Sequence, residues 1–524
     1  MIIDAIGAIE SSYSADVAIV GAGAAGITVA DELDRAGHSV ILIESGGQQI
    51  SRSAQSLNRA AALGLRSFSA AASRFRCFGG STARWGGQCR PLDAIDFDAN
   101  HNQSETGWPF SLAELEPYYQ RAAEICNLPR SFSDTPWLHA HDDCGLDKIT
   151  YQFAYPRNFG EIYRTTFRDS SNIRVLLNAT IAGIKLDKNG NRVSHLCARA
   201  KNGNETRIRA NSIVLAGGGI ENARLLLASN DIARNGIGNS NDLVGRYFND
   251  HPYAFIGELR TTDAEADTIA NQFTLRDYDR VGLDQESLLA LTLNDAKVMS
   301  GALNKCALYF VRRAYYKSTA DYYSRAGVSL NYVVDLLRRS ESLDRPLMPE
   351  ILEIAKGMGS ILTTAARAVE HVIRPTRTFS ARVVMTARPH ADSRVTLGKQ
   401  RDRFGVPLPR VNWKLHQADR DGLIALMAAA KEYFASHKLG NLIEIPWDER
   451  SGWPRGMTGG KHHMGTTRMH KNPDMGVVDA DSRVHEVDNL FVAGSSVFPT
   501  GGYANPTLTI VALAVRLADR LKEI

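Results

Sequence analysis

Long apolar runs and closely spaced cysteines are what this sequence lacks. No stretch of the 524 residues approaches the roughly 20 consecutive apolar residues of a transmembrane helix, so no membrane span is expected. The cysteines are few and never closer than twelve positions: Cys77, Cys89, Cys126, Cys144, Cys197 and Cys306. That spacing excludes a zinc knuckle or an iron–sulfur ligand run and favours reduced, mostly buried thiols.

An excess of charge of one sign is also missing. Lys and Arg number 61 against 57 Asp and Glu, and a net charge of +4 over the whole chain is not the basic footprint of a nucleic-acid-binding protein. Residues 1–16 lack the basic and apolar segments of a secretory signal, so cytoplasmic residence is expected. Export to the periplasm together with a partner stays open, and membrane contact is not expected.

A glycine-rich turn follows the first buried run of the chain. Asp16–Val20 is apolar, as a parallel strand buried on both faces should be, and Gly21-Ala-Gly-Ala-Ala-Gly26 follows at once. Gly21 permits a tight turn, Gly23 lets the backbone approach a pyrophosphate, and Gly26 lets a helix over 24–36 pack on the sheet. This order of strand, loop and helix predicts a dinucleotide-binding site.

A second strand supplies the acidic residue that such a site needs. Ser39–Ile43 is apolar, and Glu44 stands at its end, where a carboxylate can accept hydrogen bonds from ribose hydroxyls. NAD and FAD both carry that ribose. The glycines and Glu44 therefore leave the identity of the dinucleotide open.

A second glycine-rich loop carries a family resemblance. Gly79-Gly-Ser-Thr-Ala-Arg-Trp-Gly-Gly87 resembles the loop over the flavin in glucose-methanol-choline oxidoreductases, with Trp85 as an aromatic wall. The likeness is greatest to the pyranose oxidase and bacterial sugar dehydrogenase branch. Some members of the pyranose oxidase branch carry a flavin-linking histidine where Arg84 aligns here. The resemblance therefore implies FAD that is bound without a covalent link, with Arg84 near the flavin.

The resemblance runs through the chain and is strongest at its C-terminal end. It includes residues 107–118, 214–227, 244–252, 461–469, 476–479, 490–500 and 503–509. By position relative to Gly465, His462 takes the place of the family's active-site histidine and Asn505 that of its partner; His463 falls one step off the motif. Ala493-Gly-Ser495 departs from the acidic residue that many relatives carry, which affects only ribityl or pyrophosphate contacts.

The resemblance and the glycine motifs together define a predicted cofactor site. Ile181 is included as a backbone contact to adenine. The predicted set is Gly21, Gly23, Ala24, Ala25, Gly26, Glu44, Ser45, Gly80, Ser81, Arg84, Trp85, Gly86, Gly87, Ile181, Ala216, Gly494, Ser495, Asn505, Pro506 and Thr507.

The two predicted catalytic residues suit the oxidation of an alcohol. When hydride leaves a carbinol carbon, the hydroxyl group must also lose a proton, and a histidine such as His462 is a base of suitable pKa. The amide of Asn505 can orient the same oxygen. Asn505-Pro-Thr507 also reads as an N-cap, a first-turn proline and the start of a helix over 508–521. Its first N–H groups, those of Thr507 and Leu508, would stabilise negative charge on a reduced flavin.

The expected fold class is α/β, α+β overall. A Rossmann-like FAD-binding domain with a parallel sheet and a β-meander, formed by 174–185 and 192–209, is expected beside an interleaved substrate domain whose antiparallel sheet is backed by helices. The FAD-binding domain takes residues 1–110, 161–252 and 456–524. A connecting segment takes 111–160, and the substrate domain takes 253–455 with a helical insert over 307–377.

The substrate half carries less information. Residues 378–412 alternate as strands, and 418–436 form an amphipathic helix. Arg388 and Asp392 are candidates for the pocket, but surface ion pairs are favoured for both. The insert, with Tyr315, Tyr316, Tyr322 and Tyr323, can be a lid, a subunit contact or a membrane contact, or have only solvated helix faces.

The best substrate is a pyranose or glycoside that is oxidised at a ring secondary hydroxyl, with oxygen, a quinone or a redox protein as electron acceptor. A non-sugar alcohol, a hydroxynitrile-lyase-type reaction without net redox change, and a non-catalytic FAD-binding subunit stay open, as does a homo-oligomer. A metal site at His462, His463 and His470 lacks acidic or cysteine companions, so no metal is expected. No GxSxG elbow supports a serine hydrolase.

Overall fold

The computed structural model describes residues 1–6, 10–65, 70, 73–98, 107–128, 144–261, 271–275, 286–312, 333, 347–356, 358, 378–448, 451–454 and 457–523. The strands within these ranges are β1 (Ile2–Asp4), β2 (Ser12–Val20), β3 (Val40–Ile43), β4 (Ala61–Gly64), β5 (Gln88–Cys89), β6 (Leu146–Phe153), β7 (Ile173–Leu177), β8 (Ala179–Leu186), β9 (Val193–Ala200), β10 (Glu205–Leu215), β11 (Pro252–Arg260), β12 (Thr274–Leu275), β13 (Ser287–Leu293), β14 (Cys306–Arg312), β15 (Thr378–Met385), β16 (Arg394–Arg401), β17 (Pro407–Trp413), β18 (Asn441–Glu444), β19 (Trp447–Asp448), β20 (Trp453–Pro454), β21 (Thr458–Gly459) and β22 (Leu490–Val492).

Helices connect these strands and cover the sheets. The α-helices of the described residues are α1 (Ala24–Arg35), α2 (Arg52–Gln55), α3 (Leu112–Ile125), α4 (Phe159–Ile162), α5 (Arg164–Asp169), α6 (Gly218–Ala228), α7 (Asp295–Gly301), α8 (Leu347–Lys356), α9 (Ala418–Ser436) and α10 (Thr507–Lys522). Short 3₁₀ turns lie at Ser56–Asn58, Gly80–Ala83, Ala94–Phe97 and Ser495–Val497.

The first sheet is the predicted nucleotide-binding sheet. Its strand order is β1-β7-β3-β2-β10-β9-β8, and β22 also pairs with β10. Strands β1, β7, β3, β2, β10 and β22 run parallel. Strand β3 is buried along its whole length, as expected for a strand covered on both faces. Helix α1 packs on β2 and β3 of this sheet, and α10 packs on both α1 and α3.

The long strand β10 joins the parallel sheet to the meander. Its first residues, from Glu205 to Ile208, pair antiparallel with β9, and Ile213–Leu215 pair parallel with β22. Strand β9 pairs antiparallel with β8. The predicted β-meander is therefore confirmed as β8-β9-β10, whereas the beginning of the predicted segment, β7, is a strand of the parallel sheet.

The second sheet contains most strands of the predicted substrate domain and is named the substrate sheet. Its order is β18-β11-β15-β14-β13-β6-β5, with β12 on β14 and β21 on β11, and its main ladders are antiparallel. Helix α9, which spans the predicted 418–436, packs on β13, β14 and β18 and closes a second hydrophobic core. The predicted α/β fold with a parallel and an antiparallel sheet is confirmed.

Two smaller sheets complete the topology. Strand β17 pairs with β16 on one side and with β4 on the other, so only β15 of the predicted strand region 378–412 belongs to the substrate sheet. Strands β19 and β20 form a short ladder. The small sheet lies beside α6 of the nucleotide half.

The predicted helical insert is described only in part. Residues 307–312 belong to β14, a central strand, and 347–356 form helix α8. The tyrosines at 315, 316, 322 and 323 lie outside the described residues. Of the helices that the structure describes, none combines the length and apolar character that crossing a bilayer requires.

The glycine loop gives a direct test of the fold. A Cβ on Gly26 would stand 1.9 Å from the Gly21 carbonyl oxygen, whereas a Cβ on Gly23 would meet no protein atom within 4 Å. We expect Gly26→Ala to lower the free energy of unfolding by about 1–3 kcal/mol, because the βα turn must open. Gly23→Ala should change it by less than about 1 kcal/mol. Denaturant unfolding of both variants, freed of bound nucleotide, measures this, and equal midpoints would contradict the packing.

Candidate active site

One cavity lies where the carboxyl ends of β2, β3 and β10 meet the C-terminal segment of the chain. Its volume is about 610 Å³. Ends of parallel strands are where open α/β sheets bind their ligands. The predicted residues that line it are Gly21, Gly23, Ala24, Ala25, Glu44, Ser45, Gly80, Ser81, Arg84, Trp85, Gly86, Ile181, Ala216, His462, Gly494, Ser495, Asn505, Pro506 and Thr507.

Two predicted residues stand behind the cavity wall. Gly26 lets α1 approach Gly21, as the sequence predicts. Gly87 has a φ of +76° and a Cβ there would stand 2.8 Å from the Ala154 carbonyl oxygen, so it shapes the end of the second loop. Neither residue is among those that line the cavity.

The carboxylate at the end of β3 organises the first glycine loop. Glu44 accepts the Ala22 N–H at 3.0 Å and the Gly46 N–H at 2.8 Å. Burial raises the pKa of Glu44, against the effect of these N–H groups. Oε1 also accepts the Ser45 hydroxyl at 3.3 Å, whereas Oε2, which accepts the Ala22 N–H, can accept a second hydrogen bond and so suits a ribose hydroxyl.

Beside Glu44 lies an ionic cluster that sequence reasoning missed. Arg74 and Arg76 pair with Glu221 at 2.6 and 2.8 Å. Arg224 pairs with Glu221 at 3.1 Å and with Asp402 at 2.7 Å. Burial raises the pKa of Glu221, but the three arginines outweigh it and hold the pKa far below its usual value.

The members of this cluster all line the cavity, and its three cations exceed its two carboxylates. Arg76 also donates to the Ser45 hydroxyl at 2.8 Å, which ties the cluster to the end of β3. Its members come from three separate segments of the chain and follow no local motif, so only the fold reveals them.

The second glycine loop packs directly on the first. Gly80 has a φ of +55°, and a Cβ there would lie 2.8 Å from the Cα of Gly23. The Trp85 indole N–H donates to the Arg157 carbonyl oxygen at 2.7 Å, which fixes the ring at the cavity wall. Arg84 is exposed to solvent at the same wall.

Three helices begin at the cavity without a side-chain cap. The N-cap residues of α1, α6 and α10 are Gly23, Gly217 and Pro506, and none supplies a side-chain hydrogen bond. Helix N-termini carry partial positive charge and unpaired N–H groups, which bind phosphate and other anions. With the open space at Gly23, these ends fit the pyrophosphate and the polar ring edge of FAD.

Asn505 does not cap α10, contrary to the sequence prediction. The helix begins at Thr507 after Pro506, and the Asn505 side chain makes no cap hydrogen bond. Its Oδ1 is instead buried without a partner among the described residues. A buried amide oxygen without a hydrogen-bond donor costs about 1–3 kcal/mol. The Asn505 oxygen therefore suits a ligand that donates a hydrogen bond rather than the capping of α10.

His462 lies in the same cavity and is held by its backbone. The Asp250 carboxylate accepts the N–H groups of His251 at 2.8 Å, Gly460 at 3.1 Å, Lys461 at 3.2 Å and His462 at 2.8 Å. Asp250 is 2% exposed, and burial raises its pKa to about 7 against the effect of these N–H groups. The loop that carries His462 is thereby fastened to the start of β11.

The environment of His462 keeps its ring neutral. Burial is the largest cause that lowers its pKa well below the usual value, and the neighbours His251, His463, Arg382 and Lys461 add to the effect. A neutral imidazole has an unprotonated nitrogen that can act as a base. The neutral ring of His462 can therefore accept a proton, while its lowered pKa makes it a weaker base than an ordinary histidine.

His463 turns to a different part of the cavity. Its Nε2 lies 3.4 Å from the Ser73 hydroxyl, and its carbonyl oxygen accepts the Ser495 hydroxyl at 2.8 Å. Burial lowers the pKa of His463 to about 3. Gly219 is required here, because a Cβ would stand 2.3 Å from the His463 carbonyl oxygen.

The segment before Asn505 is anchored by a buried ion cluster. The Tyr503 hydroxyl donates to Asp93 at 2.6 Å, and Asp93 pairs with Arg90 at 2.7 Å and Lys305 at 3.0 Å. Burial raises the pKa of Asp93, but the two cations outweigh it and the pKa falls below its usual value. This anchor was also missed, because its members are far apart in the sequence.

The substrate-side sheet presents Arg382 to the cavity. Its guanidinium lies 4.4 Å from the centre of the Tyr253 ring. Arg388 instead donates to the Asn304 side chain at 2.9 Å, and Asp392 pairs with Lys414 at 2.9 Å. Neither Arg388 nor Asp392 lines the cavity. The contact of Asp392 is the predicted surface ion pair, whereas this contact of Arg388 is with an amide.

Within the described part of the chain, neither the thiols nor the potential metal ligands form a second candidate active site. Five of the six cysteines are buried, and none lines the cavity. No group of three His, Cys, Asp or Glu residues within the described ranges is arranged to hold a metal ion.

Two family models match the chain. One, for an FAD-binding domain, matches residues 16–242, and the other, for GMC oxidoreductases, matches residues 389–514. Over 566 aligned positions the chain is 22% identical to the 6'''-hydroxyparomomycin C oxidase of Streptomyces lividus, covering 96% of this chain and 90% of that protein. It is 40% identical to the C-glycoside 3-oxidase of Arthrobacter globiformis over 124 residues, which are 23% of this chain and 22% of that protein.

The fold as a whole has a solved counterpart in a crystal structure of formate oxidase. The TM-score is 0.60 at 17% sequence identity, over 98% of this chain and 99% of that one. The FAD-binding match covers the glycine loops and β10, and the GMC match covers the segment that carries His462 and Asn505. The chain therefore belongs to the glucose-methanol-choline oxidoreductase family and is an FAD-dependent oxidoreductase that acts on CH–OH groups.

Proposed function

We propose that this enzyme oxidises a secondary ring hydroxyl of a pyranose sugar or glycoside, with His462 as the base. The observation that carries the proposal is the shared cavity of His462 and Asn505 at the uncapped end of α10. The names of two relatives, a hydroxyparomomycin oxidase and a C-glycoside oxidase, favour a sugar-like substrate.

His462 and Asn505 have different roles toward one hydroxyl group of the substrate. His462, neutral because burial and cationic neighbours lower its pKa, accepts the proton of the hydroxyl. The Asn505 amide donates a hydrogen bond to the same oxygen and orients it. FAD, when bound, supplies the acceptor for the hydride that leaves the adjacent carbon.

The unpartnered oxygen of Asn505 favours a substrate with several hydroxyl groups. Oδ1 is buried and has no donor among the described residues. A ring hydroxyl next to the reacting one carries such a donor, and an alcohol with a single hydroxyl does not. Binding of a polyol thus satisfies a buried acceptor that otherwise costs about 1–3 kcal/mol.

We expect anaerobic addition of pyranoses and glycosides to the purified yellow protein to bleach the flavin absorbance, with formation of a keto-sugar. Simple monohydric alcohols should bleach it far more slowly, because they leave Oδ1 of Asn505 without a donor. Stopped-flow absorbance and product analysis measure both. Product formation with the flavin still oxidised would instead indicate lyase chemistry, and failure of every sugar would contradict the proposed substrate class.

We also propose that FAD is held without a covalent bond. Arg84, which takes the position of a flavin-linking histidine in the resemblance, is not a nucleophile. The cavity-lining residues that the structure describes include no cysteine or tyrosine. The two histidines among them, His462 and His463, contact His251 and Ser73.

Acid precipitation tests this mode of binding. We expect the yellow flavin to appear in the supernatant of the precipitated protein, because only non-covalent contacts would hold it. Absorbance of the supernatant and of the redissolved pellet gives the distribution. A pellet that keeps the flavin after washing would contradict the proposal.

A further inference from the structure

A buried histidine, His251, contacts His462. His251 is 1% exposed and stands directly before β11. Its Nδ1 lies 2.9 Å from Nδ1 of His462, with the two rings nearly perpendicular at 81°. On its far side, Nε2 of His251 lies 3.3 Å from the Gly501 carbonyl oxygen. Three groups therefore stand in one row, from Gly501 through His251 to His462.

The proton positions in this row follow from hydrogen-bond chemistry. A carbonyl oxygen only accepts, so the Nε2–H of His251 donates to Gly501. Burial lowers the pKa of His251 to about 4, and a neutral imidazole carries one N–H. Nδ1 of His251 therefore bears a lone pair. At 2.9 Å it requires a donor, which is the Nδ1–H of His462.

The consequence for His462 is a single tautomer. Its ring is neutral, so the proton on Nδ1 leaves Nε2 unprotonated. Nε2 is the ring nitrogen outside the contact with His251. In a neutral histidine, the hydrogen bond at one nitrogen decides which nitrogen can act as a base.

We propose that His251 is a positioning residue that sets the tautomer of His462, so that Nε2 carries the lone pair that removes the substrate's hydroxyl proton. This inference rests on the proposed role of His462. The row begins at Gly501, four residues before Asn505, so the loop that places the orienting amide also orients His251.

Two substitutions separate this role from mere packing. His251→Asn places an amide oxygen near the position of Nδ1 and keeps an acceptor for His462, but loses the contact with Gly501. His251→Gln extends its amide to the position of Nε2 and keeps the donor to Gly501, but leaves Nδ1 of His462 without an acceptor. Glutamine is the closer of the two to histidine in volume.

The two roles predict opposite rank orders for the anaerobic rate of flavin reduction. If His251 sets the tautomer, His251→Asn stays within about tenfold of the parent and His251→Gln falls by roughly 10²- to 10⁴-fold, the range for loss of a base or of its correct tautomer. A packing role makes His251→Gln the milder change. FAD content and melting temperature of both variants show that the comparison is made on folded holoenzyme.

A spectroscopic readout tests the inference without turnover. Solid-state ¹⁵N NMR of holoenzyme labelled at histidine, with His462 signals assigned by their loss in His462→Gln, distinguishes protonated from unprotonated ring nitrogens. We expect Nδ1–H with unprotonated Nε2 for His462, and loss of this pattern in His251→Gln but not in His251→Asn. An Nε2–H tautomer of His462 in the parent would overturn the inference even if sugars reduce the flavin. The expected pattern would support it even if they do not.

Discussion

The buried carboxylate of Asp250 is the contact on which the site depends. It accepts four backbone N–H groups, from His251 at the start of β11 and from the loop residues Gly460, Lys461 and His462. Intramolecular hydrogen bonds contribute about 0.5–1.5 kcal/mol each. The Asp250 side chain therefore holds loop residues 460–462 at the start of β11 and keeps the imidazoles of His251 and His462 in contact.

Backbone N–H groups, as well as side chains, supply the polar groups of the cavity. Three helices begin there without a side-chain cap, so their N–H groups are left for a ligand. Asn505, beside the start of α10, likewise leaves a polar atom for a ligand, because its amide oxygen has no partner among the described residues. The cavity thus has unused donors that suit FAD, and an unused acceptor that suits the hydroxyl groups of the proposed substrate.

The sequence was informative where the chemistry is local. The apolar run before Gly21, the glycines and the acid at the end of β3 each follow from neighbouring residues, as does helix α9. The ionic cluster around Glu221, the anchor of Tyr503 and the contact of His251 with His462 join residues that are more than 100 positions apart, so no periodicity signals them. Asn505 was misread as a cap because Asn-Pro-Thr fits a helix start, whereas the helix begins two residues later and the side chain is left to the cavity.

The central claim is that neutral His462 takes the proton of the alcohol. It is tested most directly by the anaerobic rate of flavin reduction in His462→Ala, with His195→Ala as control, because His195 lies on β9 and does not line the cavity. We expect His462→Ala to retain FAD and to reduce it at least roughly a hundredfold more slowly, the contribution of a general base. The control should match the parent. Equal rates for His462→Ala and the parent would contradict the account.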